Sequence, residues 1–143
     1  MNMSSTWTLF ALGAAFFAAL TSLFGKLGVA DLNSNLATFI RTVVILVMIG
    51  TIVSWRSEWQ MPSTISGRSW LFLILSGAAT GLSWLCFYRA LQLGPVSKVA
   101  PIDKLSVAFA IVLGAIVLGE KLNWPTIIGG GLIVLGSIVT IAF

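Results

Sequence analysis

The chain has 143 residues, of which 58% are hydrophobic and only 8% charged; a soluble domain carries about 25% charged residues because its surface faces water, so most of this surface must face lipid. A single cysteine, Cys86, and no histidine exclude an intramolecular disulfide, a Cys/His metal site and a histidine-based catalytic triad. The formal charge of +4 comes from eight Lys and Arg scattered singly rather than clustered, which is the pattern of charges bordering membrane spans and not of a nucleic-acid interface.

A membrane-crossing helix needs about 20 mostly apolar residues. Five stretches qualify, at approximately 7–26, 36–55, 69–88, 99–119 and 124–143, which predicts an all-α integral membrane protein with five transmembrane helices in a single domain, 1–143. Residues 1–6, "MNMSST", hold no charge and lead into an apolar run too long for a secretory signal, so the first stretch is expected to be a retained span. "DLNSN" (31–35) supplies a turn and a helix N-cap before the second span. "RSEWQMPSTISGR" (56–68) is the one polar loop of any length before the third, "LGPVS" (93–97) is a glycine-proline stop before the fourth, and "EKLNWP" (120–125) places a proline in the first turn of the fifth. Five of the six tryptophans, Trp7, Trp55, Trp59, Trp70 and Trp124, fall at span edges, where the amphipathic ring prefers the headgroup zone. No period-two alternation supports a membrane barrel.

Small residues mark faces on which helices in lipid approach closely: Gly77 and Gly81 in the third span, and Gly129, Gly130, Gly131 and Gly136 in the fifth. Gly77, Gly81, Trp84 and Tyr88 recur at a 4, 3, 4 spacing and share one helix face; Trp84 is the tryptophan away from an interface. That face suits either plain packing or a ligand held by two aromatic rings above a glycine floor.

The embedded charges are the sharper signal. In a chain of alternating spans, the end of the first and the starts of the second and fourth lie on one side of the membrane. Lys26, Arg41, Asp103 and Lys104 are therefore expected in one leaflet, with Arg41 about 8 Å deep at helical rise. A lone charge in hydrocarbon costs at least ~2.5 kcal/mol, so Asp103 needs a basic partner. Neighbours in a helix diverge by about 100°, which favours Arg41 over Lys104 as that partner. Pro101 removes one helical hydrogen bond and frees a carbonyl near Ser97. Lys26, Arg41, Trp84, Tyr88, Pro101, Asp103 and Lys104 are thus the candidate linings of a polar vestibule. The plainer alternative has Lys26 and Lys104 snorkelling to headgroups and Arg41 anchoring its helix.

The order of "GKLG" (25–28), "FIRTVV" (39–44), "FYRALQLGPVSKVAP" (87–101) and "IVLGEKLNWPTIIGGGLIVLGSIV" (116–139) resembles the EamA domain of the drug/metabolite transporter superfamily over nearly the whole chain. The resemblance implies one half of a ten-helix inverted-repeat transporter, secondary export of small metabolites or drugs, no cofactor, no enzymatic step, and a multi-pass location in a bacterial inner membrane. Related small multidrug resistance proteins depend on a glutamate in their first span, and "TWTLFALGAAFFAALTSLFG" has no acid, so cationic-drug efflux by that route is not implied. An odd number of spans inverts a fused second copy, so one five-helix chain reproduces the inverted repeat only with an oppositely oriented partner. With the N-terminus inside, Arg56, Arg68 and Lys121 lie inside against Lys26, Arg41, Arg89, Lys98 and Lys104 outside. Since Lys and Arg near span ends set orientation, this near balance predicts dual topology and an antiparallel homodimer, with a heterodimer of two half-size proteins as the alternative. Two other functions fit the same composition: a non-transporting accessory or assembly subunit, and a component of a lipid-carrier flippase.

Overall fold

The computed structural model describes residues 3–142, with side chains from Thr6 onward. Among the described residues every long element is helical: α1 Met3–Gly28, α2 Ser34–Trp55, α3 Gly67–Leu93, α4 Val96–Asp103, α5 Leu105–Val117 and α6 Trp124–Ala142, with a 3₁₀ turn at Pro62–Thr64. Five stretches are long and apolar enough to cross a membrane, Thr6–Gly28, Ser34–Trp55, Gly67–Leu93, Val96–Val117 and Trp124–Ala142. The five-span architecture read from composition is the one observed. Phe143, expected in the last span, lies outside the described residues.

Local chemistry sets the boundaries. Asn33 caps α2 by accepting the Asn35 N–H at 2.9 Å, and Ser66 opens α3 by accepting the Ser69 N–H at 3.1 Å. Asn123 accepts both the Thr126 N–H at 3.0 Å and its hydroxyl at 2.6 Å, so a side chain satisfies one of the orphan donors at the start of α6. Gly119 ends the fourth span at a φ of +68°, a left-handed conformation that glycine adopts without steric penalty. The Glu120 N–H then returns to the Gly114 carbonyl at 3.2 Å. Inside the spans, hydroxyls have no water to bond and turn back on their own helix: Thr38, Thr42, Thr80 and Thr140 each donate to the carbonyl four residues earlier at 2.8 Å. Around the 56–66 loop the interfacial tryptophans have polar anchors, Trp59 donating to the Ser54 hydroxyl at 3.0 Å and Trp70 to the Pro62 carbonyl at 3.4 Å.

The chain packs as two units, Phe24–Gln92 and Met1–Leu23 with Leu93–Phe143. In the first, the tail of α1, the head of α2 and the tail of α3 form a small core: Val29 and Leu91 are fully buried, and Ser34, Ala37, Thr38 and Tyr88 nearly so.

In the second unit the fourth span differs from the continuous helix expected over 99–119. It begins at Val96 and breaks between α4 and α5 at Lys104, whose ψ of −10° lies well away from the ≈ −42° of an α-helix. Pro101 is the cause: it lacks an N–H for the Ser97 carbonyl, and its ring crowds that turn. The chain tightens after it, with the Lys104 N–H reaching the Pro101 carbonyl at 3.1 Å and the Val107 N–H reaching the Lys104 carbonyl at 3.0 Å. Across from this break, buried Ser137 on α6 presents its hydroxyl to the Pro101 carbonyl at 2.7 Å and to the Ile133 carbonyl at 2.9 Å. The last span therefore braces the broken one. Gly130 serves the same contact, since a Cβ there would lie 3.0 Å from the Ile111 side chain. The other glycines expected to pack behave differently. At Gly77, Gly81, Gly129, Gly131 and Gly136 a Cβ would meet nothing within 4 Å, so close helix approach inside the chain is not what these positions serve.

Replacing Ser137 with alanine leaves the Pro101 carbonyl without its cross-helix donor, and interhelical hydrogen bonds in membranes are worth roughly 0.6–1.7 kcal/mol. Ser137→Ala is expected to lower stability by about that much in a detergent unfolding titration. The loss should shrink in a Pro101→Ala background, where a regular helix brings the Leu105 N–H to that carbonyl in place of the tighter Lys104 contact; equal losses in both backgrounds would show that Ser137 does not serve the break.

Candidate functional site

The site is built from the tail of α1 upward. Gly25 has no side chain, and the Tyr88 ring occupies the space: a Cβ at Gly25 would lie 3.2 Å from the Tyr88 hydroxyl and 3.2 Å from the Leu91 side chain. One residue on, Lys26 donates from Nζ to the Leu91 carbonyl at 2.6 Å. Leu91 lies in the last turn of α3, where carbonyls lack intrahelical partners and the helix dipole favours a cation. Lys26 thus ties α1 to α3 rather than simply snorkelling. The Gln92 amide closes the connection by donating to the Leu32 carbonyl at 3.0 Å, while Arg89 donates to the Gln92 side-chain oxygen at 2.6 Å.

With α3 fixed in this way, Trp84 and buried Tyr88 stand one turn apart on the same face. Against them lies Arg41, seven residues into α2 and so about 10 Å along the helix from its start. Its guanidinium carbon sits 3.5 Å from the centre of the Trp84 ring and 5.3 Å from that of Tyr88. The ring faces are electronegative, and the interaction is strongest where water is excluded. Stacking uses the flat face of the guanidinium and leaves its in-plane N–H donors free. The NH1 nitrogen is covered and has no hydrogen-bond partner among the described residues. Along the same face of α3, Gly81 and Gly77 leave an open strip in which an added Cβ would meet nothing within 4 Å. Nearby, Asn33, Ser34, Asn35, Leu85, Cys86 and Arg89 line a shallow groove of about 490 Å³.

Within their own units, the two members of the Arg41–Asp103 pair expected from the sequence have other partners. Arg41 takes aromatic partners, and the Asp103 carboxylate pairs with Lys104 at 3.3 Å, both side chains being partly exposed. The argument against adjacent residues holds for a continuous helix; here the helix breaks at Lys104, which frees the two side chains to meet. Of the seven candidate residues, the structure gathers Lys26, Arg41, Trp84 and Tyr88 in one unit and Pro101, Asp103 and Lys104 at the helix break in the other. Three contributors were not singled out by sequence reasoning: Gly25, the Leu91 carbonyl and Ser137. Gly25 was within reach, since it precedes Lys26 in "GKLG"; a backbone carbonyl carries no sequence signal. Among the described residues, no group of three or more His, Cys, Asp or Glu is placed to hold a metal ion.

Arg41 and Trp84 should be energetically coupled. In a double-mutant cycle of Arg41→Met and Trp84→Leu read by thermal unfolding in lipid nanodiscs, the coupling is expected to be about 1–2 kcal/mol, between an exposed and a fully desolvated cation–π contact, since both side chains are half-buried. Additivity within a few tenths would show that the stacking contributes nothing.

Comparison with known proteins bears on what this arrangement serves. Over 141 residues the chain is 52% identical to a protein of Sinorhizobium sp. called "Uncharacterized transporter in cobO 3'region", a match that covers 99% of this chain and all of the relative. No solved structure matches the chain. The model of the EamA-like transporter family matches residues 5–142. With five apolar helices and a family match over essentially its whole length, this multi-pass membrane protein belongs to the EamA-like transporter family.

Proposed function

We propose that the protein is a secondary exporter of small metabolites or drugs, working in the bacterial inner membrane as a dimer of five-helix halves. The observation that carries this reading is the whole-length match to a transporter family by a chain of five spans. An embedded arginine that is stacked on rings rather than neutralised by an acid supports it, because a purely structural bundle has no use for such a charge. Arg41, Trp84 and Tyr88 are the residues assigned to substrate, with Lys26 holding α3 in register beneath them. Pro101, Asp103 and Lys104 form a break of the kind transporters place at moving, ligand-binding segments. No residue here is assigned a bond-making role, and the function proposed is passage rather than chemistry.

The dimer follows from the same features. Gly129, Gly131 and Gly136 on α6 have no neighbour where a side chain would stand, which leaves bare backbone for a second chain to approach. The near-equal distribution of Lys and Arg between the two ends of the spans favours insertion in both orientations and hence an antiparallel homodimer.

Two measurements test this. Cells expressing the protein should release more small metabolites into the medium than cells expressing Arg41→Gln at equal abundance; indistinguishable profiles from untargeted mass spectrometry would oppose export. Reporters active only inside or only outside the cell, fused to the C-terminus, should both give signal. Two lysines added to the 56–68 loop should tip the signal to one side. Signal from one reporter alone, in a strain with no other half-size relative, would end the dual-topology reading.

A further inference from the structure

We propose that the Arg41 site takes an anion, a carboxylate or phosphate group carried on a flat or slender apolar body. This rests on the reading of Arg41, Trp84 and Tyr88 as the substrate site and adds the substrate's charge class.

Three observations converge on it. First, within its own unit, Phe24–Gln92, the guanidinium is in no ion pair: Glu58 pairs with Arg56 at 2.8 Å, and Arg41 is held by the rings of Trp84 and Tyr88. Second, the rings hold it by its face, 3.5 Å above Trp84, which fixes the plane of the fork while sparing the edge that grips a carboxylate or phosphate through two parallel N–H···O bonds. NH1, on that edge, has no hydrogen-bond partner among the described residues; a desolvated donor on a charged group is a costly thing to leave unmade. Third, the face of α3 that carries Trp84 continues into open space over Gly81 and Gly77, which leaves room for an apolar body next to the charged end. A cationic substrate finds none of this on that face, whose groups are a guanidinium, two rings and bare backbone.

NH1 is covered in this conformation, so α2 and α3 must part locally before an anion reaches that edge of the guanidinium. Binding must then change the environment of the Trp84 indole, which gives a readout independent of flux.

The test uses the full chain in phosphatidylcholine nanodiscs, titrated with benzoate, neutral benzamide and cationic benzylammonium while tryptophan emission is recorded. Benzoate is expected to give a saturable change that the two others do not compete away, and Trp84→Phe should abolish that change. Arg41→Gln, or Arg41→Lys, which keeps the charge but not the planar fork, should weaken benzoate by about tenfold or more. The charge series on the unaltered protein carries the test even where a variant fails to fold. Benzylammonium saturating as well as benzoate, or benzoate acting undiminished on folded Arg41→Gln, would overturn the proposal. Phosphatidylglycerol added to the nanodisc separates two sources of the same chemistry: loss of the benzoate response identifies a lipid phosphate as the anion, and its persistence identifies a soluble one. Saturable benzoate binding without export from cells would sink the transporter reading and leave this one standing; export with preference for cations would do the reverse.

Discussion

In hydrocarbon there is no water to receive a stray N–H or C=O, and each such group left alone costs several kcal/mol. The ordered parts of this chain are arranged around that constraint. The last carbonyls of α3 receive Lys26, the carbonyl at the break in the fourth span receives Ser137, and threonine hydroxyls bond back along their own helices. Helix ends outside the apolar stretch are closed by Asn33, Ser66 and Asn123 in the ordinary way. Set beside these, Arg41 is conspicuous. Among the described residues its NH1 is the buried side-chain nitrogen without a hydrogen-bond partner, and the group is held by ring faces that satisfy charge but not hydrogen-bonding capacity.

The close approach at Gly25 is what makes that arrangement possible. A side chain there would push Tyr88 aside, and with it the register in which Trp84 meets the guanidinium. The Lys26 contact, one residue later, locks the same pair of helices from the polar side. Two neighbouring residues of α1 thus place a site to which α1 itself contributes no ligand.

Five spans are legible in the sequence because a run of about 20 apolar residues admits one reading in lipid. Their ends are legible because Asn, Ser, Gly and Pro stand where caps and stops need them. The break at Lys104 was half visible: Pro101 announces a missing hydrogen bond, but the fact that the helix yields three residues later and is braced by Ser137 depends on which face α6 turns to it. The sequence points Arg41 toward Asp103 and sets Trp84 and Tyr88 on one face. Matching them required weighing ring quadrupoles against a carboxylate, and opposite charge is the more obvious complement. The glycine faces are half legible for a related reason, because a bare helix face indicates that something can come close without indicating whether it belongs to the same chain.

The partners of the Lys26 contact stand 65 residues apart in the chain, which has a bearing on biosynthesis. At roughly 5–20 residues per second, the ribosome finishes α1 about 3–13 seconds before it makes Leu91. Arg41 likewise precedes both rings that will hold it. During that interval the two cations enter a bilayer that does not yet contain the acceptors they will end on. The first hairpin must therefore linger where lipid headgroups or the insertion machinery can shelter charge, and the arrival of α3 is the step that lets it settle.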